Sequence, residues 1–201
     1  MNQKTWAKGV VTFFLGALSI GCQSGGIGDP CLPEDEYQLY FSGYSVNEVN
    51  LESRSFQCET RLCLVNHFQG RVSCPYGQSA MDTSPDYQRC HMPGTTGSDN
   101  LIQVAVNPQY SKRQRNDAVY CSCRCAGEDP EGRYCKCPTG FQCEHLLDPV
   151  DRLGYKELAG SYCVKDGTAY TEGVTDVLPT CSISDENADP PGDCGRWDGS
   201  N

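Results

Sequence analysis

The chain has 201 residues, of which 15 are cysteine, and it carries a formal net charge of −10 at neutral pH. Nucleic-acid binding would call for a basic face, and a net charge of this sign gives no reason to expect one, so a nucleic-acid partner is not expected. Aliphatic residues are scarce, which excludes a fold that depends on a large hydrophobic core alone.

Residues 1–21 have the layout of an export signal. Lys4 and Lys8 precede an apolar run, Val10–Ile20, and no acidic residue occurs before Cys22. The run is too short to cross a bilayer as a helix, which takes ~20 apolar residues. The segment is therefore predicted to be the signal peptide of an exported protein.

The end of this signal, Ser19-Ile20-Gly21-Cys22, resembles the lipobox of bacterial lipoproteins. Members of that family usually carry Leu at the position of Ser19. The resemblance implies that signal peptidase II cleaves before Cys22, that the thiol of Cys22 carries a diacylglyceryl group, and that the new N-terminus is acylated. Two or three acyl chains form a lasting membrane anchor, whereas a single chain binds marginally. The resemblance covers only residue 1 to about residue 30.

A simple secreted protein is the alternative, because Ala17-Leu18-Ser19 and Ser19-Ile20-Gly21 also offer small residues to signal peptidase I. The number of cysteines favours the lipoprotein. If Cys22 is lipidated, 14 cysteines remain and all of them can pair. If Cys22 is not lipidated, one thiol is left over in an oxidising compartment.

Residues 22–30 are rich in glycine and are predicted to form a flexible tether between the lipid and the folded part. In lipoproteins of Gram-negative bacteria, Asp directly after the lipidated cysteine is associated with retention in the inner membrane. Gln23 occupies that position here, so the resemblance implies the outer membrane.

Residues 31–201 are predicted to form a small, disulfide-rich, mostly β extracytoplasmic domain with long loops and at most one or two short helices. Leu, Ile, Val and Phe are 29 of the 180 residues after the signal, about 16%, and loss of Lys4 and Lys8 makes the net charge −12. Such a composition folds only with cross-links, which contribute typically ~2–4 kcal/mol each. We expect disulfides at all 14 cysteines after Cys22: Cys31, Cys58, Cys63, Cys74, Cys90, Cys121, Cys123, Cys125, Cys135, Cys137, Cys143, Cys163, Cys181 and Cys194.

Two β-prone runs, 101–106 and 118–125, follow a turn-rich stretch at 91–100 that marks a possible seam in the domain. The two runs are predicted to pair as a long hairpin. Its second strand would place three cysteines, at positions 121, 123 and 125, on one face. Neighbours on that face would lie ~6.6 Å apart, which is too far for a disulfide, so each needs a separate partner.

Lys112, Arg113 and Arg115 form a basic cluster at the tip of the proposed hairpin. In one interpretation the cluster is a solvated tip, whose charge also protects against aggregation. In the other it contacts an anionic group, such as a lipopolysaccharide phosphate or an acidic partner.

The segment Cys135–Cys143 resembles the second half of an EGF-like module, with Cys-x-Cys followed by Gly140, an aromatic residue and a further cysteine. A tight β-turn at Gly140 between bridged strands accounts for the same residues. A short helix is predicted over 148–158, where Asp148-Pro149 supplies an N-cap and a first-turn proline. The acidic tail, 183–201, is predicted to be loose except where Cys194 is bonded.

The cysteines between 121 and 143 offer an alternative as a soft-metal cluster, which would need free thiolates. Cys-x-Cys spacing dominates there, whereas zinc knuckles favour Cys-x₂₋₄-Cys. No Cys-x-x-Cys redox pattern and no nucleophile motif occurs in the chain. An envelope hydrolase with paired carboxylates stays open, because 26 acidic residues allow many pairs in space.

The sequence therefore predicts a lipid-anchored envelope lipoprotein with a non-catalytic structural or binding role and no cofactor. Its expected contacts are the membrane, through the lipid, and an envelope protein or polysaccharide.

Overall fold

The computed structural model describes residues 24–81, 83, 89–149, 158–173 and 176–178. Within these ranges no helix combines the length and the apolarity that a membrane crossing requires. The strands are β1 (Val49–Glu52), β2 (Leu62–Asn66), β3 (Val119–Ser122), β4 (Arg124–Ala126), β5 (Phe141–Leu147) and β6 (Gly160–Lys165). Within the described ranges, the rest of the regular structure is one helical turn, α1 (Arg115–Ala118), and two 3₁₀ turns, Glu34–Tyr37 and Ser98–Asn100.

The first sheet has the order β1-β2-β3 and is antiparallel throughout. Its central strand β2 is buried from Cys63 to Asn66, and all four residues of β3 are buried. Both faces of β3 are therefore covered, which explains why Tyr120 and Ser122 lie inside although they alternate with the apolar side chains of that strand.

The second sheet has the order β4-β6-β5 and is also antiparallel. It follows directly on the first, because Cys123 alone separates β3 from β4. The sheets are also linked by hydrogen bonds: the Ser122 hydroxyl donates to the Cys163 carbonyl at 2.8 Å, and the Lys165 amide donates to the Tyr120 hydroxyl at 3.0 Å.

The long hairpin predicted from runs 101–106 and 118–125 does not form. The second run is divided between two sheets, and β3 pairs with β2. The first run forms isolated bridges, Leu101 with His91 and Val106 with Gln78. The buried Gln78 side chain accounts for this, since its amide donates to two carbonyls of that run and its oxygen accepts from the Cys90 amide.

Disulfides cross-link the fold, and the prediction of a small, mostly β, disulfide-rich structure is confirmed. Cys121, Cys123 and Cys125 bond to three different segments, as their spacing predicts. The six pairs in the described ranges are Cys31–Cys63, Cys58–Cys121, Cys74–Cys90, Cys123–Cys135, Cys125–Cys143 and Cys137–Cys163.

The segment predicted to be a flexible tether is part of the fold from Ser24 onward. Gly25 bridges to Cys58, and Pro30 bridges to Tyr120. Gly28 has φ 95° and packs so closely on the Phe141 ring that a Cβ there would lie 2.6 Å from Cζ, so only glycine fits. The tether prediction therefore needs correction for residues 24–30.

Gly140 lies in a tight turn that begins β5. Its φ is 89°, and the Phe141 amide donates to the Pro138 carbonyl at 3.1 Å. Residues 91–100 form a loop closed by the bridge from His91 to Leu101. The predicted signal peptide, Cys22, Cys181, Cys194, most of the predicted helix and the acidic tail lie outside the described residues.

A buried ion pair holds the first 3₁₀ turn against the chain after β2. Glu36 and Arg71 are both fully buried, with 3.4 Å between a carboxylate oxygen and Nε. The Glu36 carboxylate accepts hydrogen bonds from the Val72 amide and the Ser73 hydroxyl. The Arg71 guanidinium donates to the backbone carbonyls of Glu36, Gln38 and Phe41. Burial disfavours both charges, raising the pKa of Glu36 and lowering that of Arg71.

Removal of one partner of this pair should cost more than removal of an exposed charge. We expect Arg71→Met to lower the free energy of unfolding by ~3–5 kcal/mol, because the Glu36 carboxylate stays buried without its cation. Glu34→Gln, at an exposed acid in the same turn, should change it by less than ~0.5 kcal/mol. Urea unfolding of both variants measures the difference, and equal effects would contradict the assignment.

Reduction should unfold the domain, and the disulfides should be reduced in the order in which their sulfur atoms are accessible to solvent. Cys143 is exposed and Cys125 half-buried, whereas Cys58 and Cys121 are buried. Because the attacking thiolate must reach its sulfur, brief mild reduction should allow alkylation at Cys143 and Cys125 first. Peptide mass mapping and thermal melts with and without reductant check both points. Earlier labelling at Cys58, or a melt indifferent to reductant, would disprove the prediction.

Candidate functional site

A cleft of about 620 Å³ opens beside the first 3₁₀ turn and the end of β1. We call it the Phe56 cleft. Its lining residues are Leu32, Glu34, Tyr37, Glu52, Ser53, Arg54, Phe56, Gln57 and Arg61. The cleft thus brings aromatic side chains, two carboxylates and two guanidinium groups to one place on the surface.

The turn that carries Phe56 is held at several points. The Gln57 side chain clips it to Leu32, accepting from the Leu32 amide at 3.0 Å and donating to its carbonyl at 2.7 Å. The disulfide of Cys58 fixes the next residue to β3. Arg61 closes the turn with φ 63°, and its carbonyl accepts from the Ser55 amide at 3.1 Å. The wall of the cleft is therefore built on a cross-linked turn.

Phe56 projects from this turn into solvent. Its side chain is 83% exposed, and the Arg61 guanidinium lies 4.7 Å from the ring centroid. Tyr37 on the facing 3₁₀ turn is 53% exposed. Two exposed aromatic side chains therefore line one cleft, which makes this rim a candidate contact surface.

Two carboxylates lie in the same cleft. The Glu34 amide donates to a carboxylate oxygen of Glu52 at 3.2 Å. Burial raises the pKa of Glu52, the amide hydrogen bond opposes the rise, and the charges of Glu34 and Asp35 add to it. Glu52 is therefore more readily protonated than an ordinary glutamate.

The predicted basic cluster is divided by the fold. Arg113 is buried, and its guanidinium donates to the carbonyls of Asn66, His67 and Thr168. Lys112 is exposed, and Arg115 begins α1 with its side chain half-buried. Arg113 thus joins β2 to the chain after β6 and does not face an outside partner.

A second cavity, of about 200 Å³, lies where Arg113 enters the fold, and Lys112 and Tyr170 are among its lining residues. Tyr170 stacks on His67 with ring centroids 4.4 Å apart and lies 5.8 Å from the Arg113 guanidinium carbon. The His67 Nδ1 lies 2.9 Å from the Val46 carbonyl. These contacts are internal, which agrees with a structural role for His67.

Sulfur atoms lie close together in three groups, within 4.8 Å in each. One group joins two disulfides of the first sheet and includes Cys31, Cys58 and Cys121. Beside the second sheet, the Sγ atoms of Cys123 and Cys163 are 3.5 Å apart although each is bonded to another cysteine. A soft-metal site needs thiolates, and these sulfurs are engaged in disulfides, so the described part of the chain offers the metal alternative no ligands of that kind.

The sequence did not point to the Phe56 cleft. Phe56 stands in a polar stretch between two arginines, which indicates a turn but not which way the ring faces. The same Phe-Gln-Cys-Glu string occurs at Phe141, where the half-buried ring packs on Tyr120 with centroids 5.8 Å apart. The same four residues therefore give one packed ring and one exposed ring, because Phe56 lies in a turn whereas Phe141 begins β5.

Comparison of the chain with protein-family models, with curated proteins and with solved structures found no match.

Substitution of the two neighbouring cations should separate a structural arginine from a surface lysine. Arg113→Gln is expected to lower the free energy of unfolding by ~1.5–3 kcal/mol, because buried carbonyls lose a charged donor. Lys112→Gln should change it by less than ~0.5 kcal/mol, since the side chain is exposed. Denaturant titration of both variants measures this. A tolerated Arg113→Gln would mean that its guanidinium does not hold the fold.

Proposed function

We propose that the chain is a lipid-anchored, cysteine-rich lipoprotein of the bacterial envelope with a non-catalytic structural or binding role, held in the outer membrane through Cys22. The observation that carries this proposal is the pairing of cysteines. Each cysteine in the described ranges is bonded to another in those ranges, so none of them is a partner for Cys22. Cys181 and Cys194 can pair with each other, which leaves Cys22 as the odd thiol that lipidation consumes.

The six disulfides also support an exported location. Bridges of this density form and persist in oxidising compartments, and small extracytoplasmic domains use them where a hydrophobic core is thin. Export is what the signal sequence predicts, so the pairing and the N-terminal signal point to the same compartment.

A binding role is supported by the Phe56 cleft. Its volume of about 620 Å³ lies in the range of ligand sites, ~300–1,000 Å³. Leu32 and Phe56 supply apolar surface, and Arg54, Glu34 and Glu52 supply charge of both signs. We propose part of an envelope polysaccharide or an envelope protein as the ligand.

A hydrolase with paired carboxylates is the second candidate, favoured by Glu34 and Glu52 in this cleft. A general acid needs a raised pKa, and burial gives Glu52 that property. The substitution Glu52→Gln discriminates the two functions. It removes the titrating proton and keeps the shape, so an enzyme loses turnover while a binding protein keeps its ligand.

The lipid anchor is tested by changing its attachment residue. The native protein should partition into detergent, and Cys22→Ser should move it to the soluble fraction, because acyl chains supply ~0.8 kcal/mol per buried CH₂. Intact mass of the mature protein should show residue 22 as an acylated N-terminus. Ser24→Ala, which lies outside the four lipobox residues, is the matched control and should still be acylated. An unmodified residue 22 would refute the proposal.

A further inference from the structure

We propose that the rim of the Phe56 cleft lies on the phospholipid surface of the leaflet that holds the acyl chains of Cys22. This inference rests on the proposed lipidation and goes beyond it, since a lipid anchor alone does not orient a domain. The surface consists of Phe56, Arg61 and Tyr37, and its occupant is the headgroup layer of the bilayer.

The length of chain between lipid and fold carries the argument. Three residue steps separate Cys22 from Gly25, and fully extended they span no more than ~11 Å. The headgroup region on each side of a bilayer is ~5–7 Å deep. The fold at Gly25 is therefore confined to within about one such layer of the membrane surface.

Gly25 is fixed to the turn that carries Phe56. Its amide donates to the Gln57 carbonyl at 2.6 Å, and the Glu59 amide donates to the Gly25 carbonyl at 2.9 Å. Gly25 also has no room for a side chain, because a Cβ would lie 2.9 Å from Cβ of Asp29. Gln57, the residue after Phe56, is thus hydrogen-bonded to a residue only three positions after the proposed lipid attachment at Cys22.

The chemistry of the rim suits a membrane interface. An exposed phenylalanine ring inserts among headgroups and upper acyl chains, and tyrosine is enriched at the same depth. The Arg61 guanidinium above the Phe56 ring places a cation at the level of lipid phosphates. The Phe56 ring can therefore contact the upper acyl chains while the Arg61 guanidinium contacts the phosphates of the headgroups.

The charge of the cleft and of the whole chain determines which lipid is appropriate for the test vesicles. The lining of the cleft holds Arg54 and Arg61 against Glu34 and Glu52, and is therefore balanced. The whole chain is strongly acidic, so anionic lipid repels it. Zwitterionic phosphatidylcholine is thus the appropriate surface, and attraction by net charge plays no part.

The test measures the depth of a tryptophan introduced at position 56. Lipidated full-length protein carrying Trp197→Phe, which removes the tryptophan that follows the signal, is inserted into phosphatidylcholine vesicles with brominated acyl chains. Phe56→Trp is compared with Met81→Trp, a matched control at an 88% exposed residue that does not line the cleft. We expect bromine to quench the indole of the Phe56→Trp variant severalfold more than that of the Met81→Trp variant. Insertion of about ten Gly/Ser residues after Gln23, which adds a span of ~17 Å, should reduce that quenching towards the control.

The outcomes separate the two proposals. If the protein is acylated and floats with the vesicles, but the Phe56→Trp variant is quenched no more than the Met81→Trp variant, the membrane contact is overturned and the lipoprotein proposal stands. Protein that is unmodified at residue 22 overturns both. If the indole at position 56 is shielded from iodide without bromine quenching, in proportion to protein density on the vesicle, the rim is assigned to a second copy and the proposal is also overturned.

Discussion

Cysteine spacing along the strand that leaves the first sheet and enters the second is the constraint on which the fold depends. Cys121 lies in β3, Cys123 stands alone between the sheets, and Cys125 lies in β4. Each is bonded to a different segment: the partner of Cys121 precedes the strand in the chain, and the partners of Cys123 and Cys125 follow it. A few residues of chain thereby fix both sheets, which a thin apolar core would not hold in one arrangement.

In the loops, buried polar side chains supply the hydrogen bonds to backbone carbonyls that neighbouring strands supply in the sheets. Arg71, Gln78 and Arg113 each donate to two or more backbone carbonyls of distant segments. A long irregular chain leaves many carbonyls without a ladder partner, and each would be costly to bury unbonded. Disulfides stabilise the fold by restricting the unfolded chain. The buried side chains stabilise it differently, because they donate hydrogen bonds to backbone carbonyls in the folded state.

Composition was enough to predict the class of fold, because scarce aliphatic residues and abundant cysteines leave few ways to fold. The pairing of the cysteines was not predictable, since the partners of Cys74 or Cys137 depend on which segments meet in space.

Local sequence pattern gave wrong predictions where tertiary contacts determine the structure. Residues 101–106 have the pattern of a strand, but the Gln78 side chain holds them by hydrogen bonds to their carbonyls. Arg113 reads as a surface cation for the same reason, because a basic cluster does not reveal which guanidinium meets carbonyls inside. The Phe56 cleft gave no sequence signal, because it is assembled from a 3₁₀ turn and a distant turn.

The docked N-terminal segment changes what a lipid anchor would mean for this protein. A flexible tether allows a domain to tumble, and every face then meets the membrane equally often. Here Gly25 is hydrogen-bonded beside Phe56 and Gly28 packs against the Phe141 ring, so the fold begins within three residues of Cys22. The short remaining span would convert the anchor from a device that retains the protein into one that orients it. A ligand of the Phe56 cleft would then be met at headgroup height, which favours partners that themselves lie on the membrane surface.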